Sequence, residues 1–160
     1  MPIDINEITH HYKSKIFQTC LGYTNDIEEA NDLTQEVLIR IWKGIKNFRE
    51  DSSLSTWIYR ITVNTCLMFH RKNKMKKISF NDVNESLLDN VQNLSYENEE
   101  LEQLNDLISK LSVKDRLIII LYLQDLSYKD ISDITGISIN YVGVKINRIK
   151  KLLSNQMNKL

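Results

Sequence analysis

Ala30, Leu33, Val37 and Ile41 recur at intervals of three and four, which places them on one stripe of a helix. Leu38, Trp42 and Ile45 widen that stripe, and Asp26 followed by Glu29 has the form of a capping box opening the helix. The opposite face carries Asp32, Gln35, Glu36 and Lys43, with Ile39 among them. Such a face reads either as an interaction surface or as a solvated face with one stray isoleucine. Residues 49–55 are polar and predict a loop, and a helix follows over about 55–71. At roughly 100° per residue its positions separate. Trp57, Ile58, Ile61, Met68 and Phe69 fall on one side, while Arg60, Asn64 and Arg71 form a narrow stripe on the other. A basic stripe running into RKNKMKK suits a phosphate backbone, and an amide on it suits a base edge. An amphipathic helix with a solubilising end fits the same pattern, whereas Trp57, on the apolar side, reads as core.

Toward the C-terminus three capping signatures follow in series. Ser112 precedes Asp115 by three, Ser127 precedes Asp130 by three, and Ser138 stands before the last apolar stripe. The run LIIILYL fits strand or helix by period alone, and its capped start decides for helix. Ser127 opens a short helix with Ile131 and Ile134 inward. TGIS then breaks it, with Gly136 where a turn calls for positive φ. The final helix places Val142, Ile146, Ile149 and Leu153 on one stripe. A short helix, a glycine turn and a longer helix make a helix-turn-helix. The second helix turns Asn140, Val144, Asn147 and Lys151 outward, with Tyr141 and Arg148 on one flank and Lys150 on the other. Amides and a valine suit base edges and a thymine methyl, and the cations suit phosphates. The alternative is a helical hairpin within a bundle, but turn, caps and outward chemistry agree on DNA.

Composition narrows the class. One Pro and four Gly in 160 residues argue for helices joined by short turns. The expected fold is therefore all-α: two small helical domains, the C-terminal one containing the helix-turn-helix. The longest apolar run, 117–123, is far too short to cross a bilayer, and MPIDINEITHHYKSK lacks the apolar stretch of a signal peptide. A cytoplasmic location is expected. Cys20 and Cys66 stand outside any C-x-x-C or Cys/His cluster, so buried free thiols are expected rather than a disulfide or zinc site. The adjacent His10 and His11 make a poor metal pair, and His70 reads as a surface residue. No nucleophile–base pair, carboxylate pair or phosphate-cradling glycine loop points to an enzyme, and no cofactor is expected.

The net charge of zero hides a pattern. Residues 1–77 hold 12 bases and 9 acids, residues 78–106 hold 8 acids and no base, and residues 107–160 hold 9 bases and 4 acids. An Asn- and Ser-rich acidic stretch thus separates two mildly basic blocks. It predicts a flexible acidic linker over 78–100 between domains at 1–77 and 101–160.

EEANDLTQEVLIRIWKGIKNFREDSSLSTWIYRITVN and LSYKDISDITGISINYVGVKINRIKKLL, in this order and spacing, resemble the extracytoplasmic-function (ECF) group of bacterial RNA polymerase sigma factors. The likeness runs over about residues 10–155. It implies a protein that joins core RNA polymerase and directs promoter recognition, melting and initiation. The face holding Asp32, Gln35, Glu36 and Ile39 matches the surface that docks on the clamp helices of the largest polymerase subunit. Phe48, Arg49, Ser53 and Ser55, with Arg60, Asn64 and Arg71, match the loop and helix at the −10 element, where an extruded base is captured. Asn140, Tyr141, Val144, Asn147, Arg148 and Lys151 match the helix that enters the −35 major groove. In this group the linker runs through the polymerase along the RNA channel. An acidic strand there can occupy basic walls, or lie near the basic domains in the free protein, or act only as a soluble tether. An anti-sigma protein, in some cases membrane-bound, is implied as a partner, and the free chain is expected to be a monomer. Two departures stand out. The group carries more chain ahead of the Tyr12 region, so an initial helix here is expected to be short or missing. The group also often has Lys where this chain has Gly143, which removes one phosphate contact.

Two other classes fit parts of the pattern. A helix-turn-helix repressor or activator with an N-terminal dimerisation or sensing domain predicts a stable dimer on palindromic duplex. A protein-binding adaptor predicts no DNA contact.

Overall fold

The computed structural model describes residues 2–79 and 98–159, with the side chains of residues 70–79 outside that description. Most of the acidic stretch expected as a linker, and the side chains of His70 and Arg71, therefore lie outside the described residues. Among the described residues the regular structure is entirely helical.

The first helix, α1 (Ile5–Thr24), is neither short nor missing, contrary to the expectation drawn from the family resemblance. Asp4 caps it by accepting from the Asn6 N–H at 2.8 Å. Ile8, Ile16, Thr19, Cys20 and Tyr23 bury one side, and Asn25 ends the helix at φ 54° in the left-handed region. Two residues later α2 (Ile27–Gly44) begins, and the short connection makes the pair a helical hairpin. Asp26 caps α2 by accepting from the Glu29 N–H at 2.9 Å. Ala30, Leu33, Thr34, Val37 and Ile41 form its buried stripe, as the periodicity predicts. Trp42 does not belong to it. It lies roughly 135° around the helix from the stripe's centre at 100° per residue, and it is 62% exposed.

A 3₁₀ turn (Ile45–Asn47) and a loop lead into α3 (Leu54–Ser79), eight residues longer at its C-terminal end than expected from the apolar pattern. Ile58 is buried and Trp57, Ile61 and Phe69 pack against the core as expected, but the buried side is wider than the one read in the sequence and leaves out Met68. Thr56, Ile58, Tyr59, Thr62, Val63, Thr65 and Cys66 are buried, whereas Met68 is 40% exposed. The cause is that α3 packs on two sides, against α1 and α2 and against the C-terminal helices. Its buried threonines satisfy their hydroxyls on the preceding turn: Thr62 donates to the Ile58 carbonyl at 2.9 Å and Thr65 to that of Ile61 at 2.6 Å.

The C-terminal half comprises α4 (Glu99–Ser109), α5 (Val113–Leu123), α6 (Tyr128–Thr135) and α7 (Ile139–Asn158). Each of the three predicted caps is present. Ser112 accepts from the Asp115 N–H, Ser138 accepts from the Tyr141 N–H, and Ser127 and Asp130 form a complete reciprocal box. Gly136 takes φ 81°, the left-handed conformation that lets α6 stop and α7 start across three residues. Gly143 faces the ring of Tyr128, where a methyl group would lie 3.3 Å from Cε2.

The two halves are not separate beads. One apolar core joins Ile8, Ile16 and Tyr23 of α1 and Tyr59 and Val63 of α3 to Leu117, Leu121 and Ile131 of the C-terminal half. A smaller cluster of Ile108, Leu111, Ile119, Ile149 and Leu153 lies beneath α4. At Gly22 of α1, α5 comes so close that a methyl group would sit 2.7 Å from Ile120 Cδ1. The sequence pattern held no sign of this docking.

Candidate nucleic-acid and partner interfaces

On α2, Gln35, Ile39, Asp32 and Glu36 occupy adjacent angular positions over roughly 100° of the helix, and all four are exposed. Trp42 extends this arc beyond Gln35, and Arg40 extends it beyond Glu36. Arg40 grips the Glu36 carboxylate through Nε at 3.1 Å and Nη2 at 2.9 Å, an exposed pair that orients both groups more than it stabilises the helix. Met68 of α3 adjoins it, its sulfur 3.7 Å from Arg40 Nη1. Ile39, Trp42 and Met68 thus stand out of a charged surface, a composition suited to a protein partner. Trp42 and Met68 were missed as surface residues. The helical angle of Trp42 alone sufficed to find the first.

The loop before α3 is locally organised. The Phe48 ring packs on Trp57 at a centroid distance of 5.2 Å. Trp57 lies against Gly44, where a methyl group would meet its ring at 3.1 Å. Glu50 holds φ 58°, an unfavourable region for a non-glycine residue that costs about 1 kcal/mol. Ser53 accepts from the Thr56 N–H at 3.1 Å and donates to Thr56 Oγ1 at 2.9 Å. Its hydroxyl therefore serves as the first-turn cap of α3. Arg49 is exposed and Ser55 half-buried. Asn64 is exposed on α3, with no side-chain hydrogen bond among the described residues. Arg60 is on the same stripe, but its Nε donates to the Asp133 carbonyl of α6 at 2.7 Å.

On α7, Asn140, Tyr141, Val144, Asn147, Arg148 and Lys151 are all exposed, on the side opposite the buried Val142, Ile146, Ile149 and Leu153. Among the described residues Asn140, Asn147, Arg148 and Lys151 have no side-chain partner, so their donors and acceptors are free. Lys145 is different: it pairs with Asp115 at 2.9 Å, and that hydrogen bond holds its amino group above the ordinary lysine range. No group of metal-ligating side chains gathers among the described residues. The two thiols are buried. A hydrogen bond with Cys20, reinforced by burial, pushes the Cys66 thiol well above its usual range.

An N-terminal helical unit with an exposed α2 face, followed by a helix-turn-helix, is the arrangement of a sigma factor. The sequence matches the sigma-70 region 2 family over residues 8–75 and the sigma-70 region 4 family over residues 101–153. It is 31% identical to the ECF RNA polymerase sigma factor SigW of Bacillus subtilis, over 96% of this chain and 89% of that protein. It is 27% identical to the RNA polymerase sigma factor YlaC of the same organism, over 97% and 92% of the two chains. The chain belongs to the ECF family of RNA polymerase sigma factors.

Its fold is similar to that of the sigma factor RpoE in its co-crystal with the anti-sigma factor NepR from Bartonella quintana. The TM-score is 0.80 at 22% identity, over 97% of this chain and 96% of that one. It is also similar to CnrH in complex with the cytosolic domain of CnrY, with a TM-score of 0.72 at 16% identity. Both likenesses run across the two halves, so the shared fold includes how the halves are set against each other.

Proposed function

We propose that this chain joins core RNA polymerase and directs it to promoters, with its labour divided along the sequence. Residues 1–77 form the polymerase-binding and −10 unit, 78–100 the acidic connection, and 101–160 the −35 unit. The arc of Asp32, Gln35, Glu36 and Ile39, extended by Trp42, carries polymerase docking. Phe48, Arg49, Ser53, Ser55, Arg60, Asn64 and Arg71 serve the −10 element, with Asn64 donating to or accepting from an unstacked base. Asn140, Tyr141, Val144, Asn147, Arg148 and Lys151 enter the −35 major groove, amides toward base edges and cations toward phosphates. The polymerase performs the chemistry; this chain catalyses no reaction and needs no cofactor. It works in the cytoplasm as a monomer when free, under the control of an anti-sigma protein.

The observation that carries this reading is the free, unpaired outer side of α7 standing in the same molecule as an α2 face with large exposed apolar residues. Capture of core polymerase by the tagged chain, followed by transcription from a linear template, tests it. A tight, polymerase-independent dimer on palindromic duplex would instead identify a helix-turn-helix repressor. Asn64→Ala leaves polymerase capture intact and impairs promoter opening. Loss of capture in that variant would overturn the division of labour within the first unit.

A further inference from the structure

Lys145 is a cation of the recognition helix that is turned away from the surface the helix presents. At 100° per residue it lies within roughly 60° of Tyr141 and Arg148, on the edge between the outward side of α7 and its buried stripe. A lysine at such an edge has a long flexible stem and can extend its charge to a phosphate. Here it folds back onto α5 instead. Its Nζ pairs with Asp115 Oδ1 at 2.9 Å and lies over the Tyr141 ring, 5.6 Å from the centroid.

The pair is built into the fold. Asp115 Oδ1 is buried, and the side chains of Asp115 and Lys145 are 21% and 19% exposed. The other two ion pairs among the described residues, Glu36–Arg40 and Asp106–Lys110, each join neighbours within one helix and stand 37–63% exposed. Water screens those two, and such pairs contribute little. It screens Asp115 and Lys145 far less, and a buried carboxylate oxygen left without its cation is costly. Asp115 is also fixed from its backbone side. Its N–H donates to Ser112 Oγ at 3.3 Å, and its charge sits in the first turn of α5, where the helix dipole favours an anion. A carboxylate so placed holds Lys145, and Lys145 holds the face of the Tyr141 ring. All three residues belong to the C-terminal half, so the contact does not depend on how the two halves are set.

We propose that Asp115 is a positioning residue for −35 recognition. Through Lys145 it fixes the Tyr141 ring near the N-terminal end of the recognition helix, and it keeps the Lys145 charge off the DNA backbone. The proposal rests on the −35 assignment of α7 and adds how that surface discriminates. A phosphate contact adds affinity for every sequence alike, whereas a base contact favours one. Withholding a cation beside a base-reading aromatic ring lowers affinity for random duplex and raises the ratio between right and wrong sites.

Asp115→Asn tests this, because it keeps the side-chain shape and the Ser112 cap while removing the charge that holds Lys145. The probe is a duplex selected from a randomised pool by the wild-type holoenzyme, formed with core RNA polymerase of Bacillus subtilis; a scrambled duplex is the reference. With Asp115→Asn, binding to the scrambled duplex tightens several-fold at low salt and the salt slope steepens by about 1. Preference for the selected duplex falls. Lys145→Met also loses preference but keeps the wild-type slope, because its charge is already spent. Combining the two substitutions returns the slope to the wild-type value. In the free protein the Tyr141 ring signals shift by NMR in both single variants, a readout that needs no DNA. An unchanged slope in Asp115→Asn overturns the proposal, since Asp115 then withholds nothing. A slope lowered by about 1 in Lys145→Met overturns it as well, since Lys145 then already contacts phosphate. So do unmoved Tyr141 signals in both variants. Failure of the wild-type holoenzyme to prefer any duplex sinks the −35 assignment instead, and the Tyr141 signals still report on the contact.

Discussion

Helices α3 and α7 are both proposed to meet DNA, yet they meet their burial requirements differently. Helix α7 buries one narrow stripe, Val142, Ile146, Ile149 and Leu153, and leaves its far side to solvent. Helix α3 buries about half its circumference because it serves two partners, the α1–α2 hairpin and the C-terminal half. Its polar stripe therefore runs along the edge of an interface, and Arg60 is drawn into it. An outward polar stripe on an amphipathic helix is thus free when the helices packed on it all meet one stripe, as α4, α5 and α6 meet the buried stripe of α7.

The comparison can be broken most severely at the core. Leu121 is fully buried where the two halves meet. Leu121→Ala lowers stability by about 2–5 kcal/mol and lowers the melting of both halves together in one calorimetric transition. Two separated transitions in the wild-type protein would show that the halves do not share stability. On the partner side, Trp42→Ala weakens polymerase binding by about 2 kcal/mol, roughly 30-fold, with no change in the melting curve because the ring is exposed. An unchanged affinity would return α2 to a merely solvated face.

Substitutions on α7 sharpen the contrast with α3. Asn147→Ala costs about 1–3 kcal/mol and relaxes base preference at one −35 position. Lys151→Ala weakens binding evenly across sequences and lowers the salt slope by about 1. Both are read by promoter-fragment binding to the holoenzyme at several salt concentrations. Ser127→Ala removes the capping box of α6 and costs about 1 kcal/mol by chemical denaturation.

The smallest effect is a pH dependence where Tyr59 of α3 meets Gln124 of the C-terminal half. Burial, with a lesser contribution from Tyr12, pushes the Tyr59 hydroxyl up to about 12. Its folded value lies above its unfolded value near 10, so its stabilising contribution is complete below pH 10 and is lost as pH rises from 10 to 12. The melting temperature falls across that window. Tyr59→Phe flattens the fall in part, since Tyr23 is also raised by burial and remains.

Local chemistry was legible wherever a residue's role depends on its near neighbours in the chain. The caps at Asp26, Ser112, Ser127 and Ser138, the left-handed Gly136 and the buried stripes of α2 and α7 all follow from spacing, because a helix closes its hydrogen bonds within four residues. The outward side of α7 followed from the same geometry. The length of α1 departs from what the family resemblance implies. Its own Ile8, Ile16 and Cys20 spacing was there to be read. Trp42 stands off the buried stripe because its angle on the helix, not its apolarity, decides its burial.

What the residues by themselves determined is local: the caps that open α2, α5, α6 and α7, the turn at Gly136, and the chemistry that α7 carries outward. Only the tertiary structure decided that the two halves share a core, that α3 buries its Tyr59 and Val63 side rather than Met68, and that Gln124 bonds Thr19 from 105 residues away and Tyr59 from 65. The physical reason is range. Helical periodicity reports on contacts made within a turn or two, and it shows that an apolar face needs cover without saying which distant face provides it.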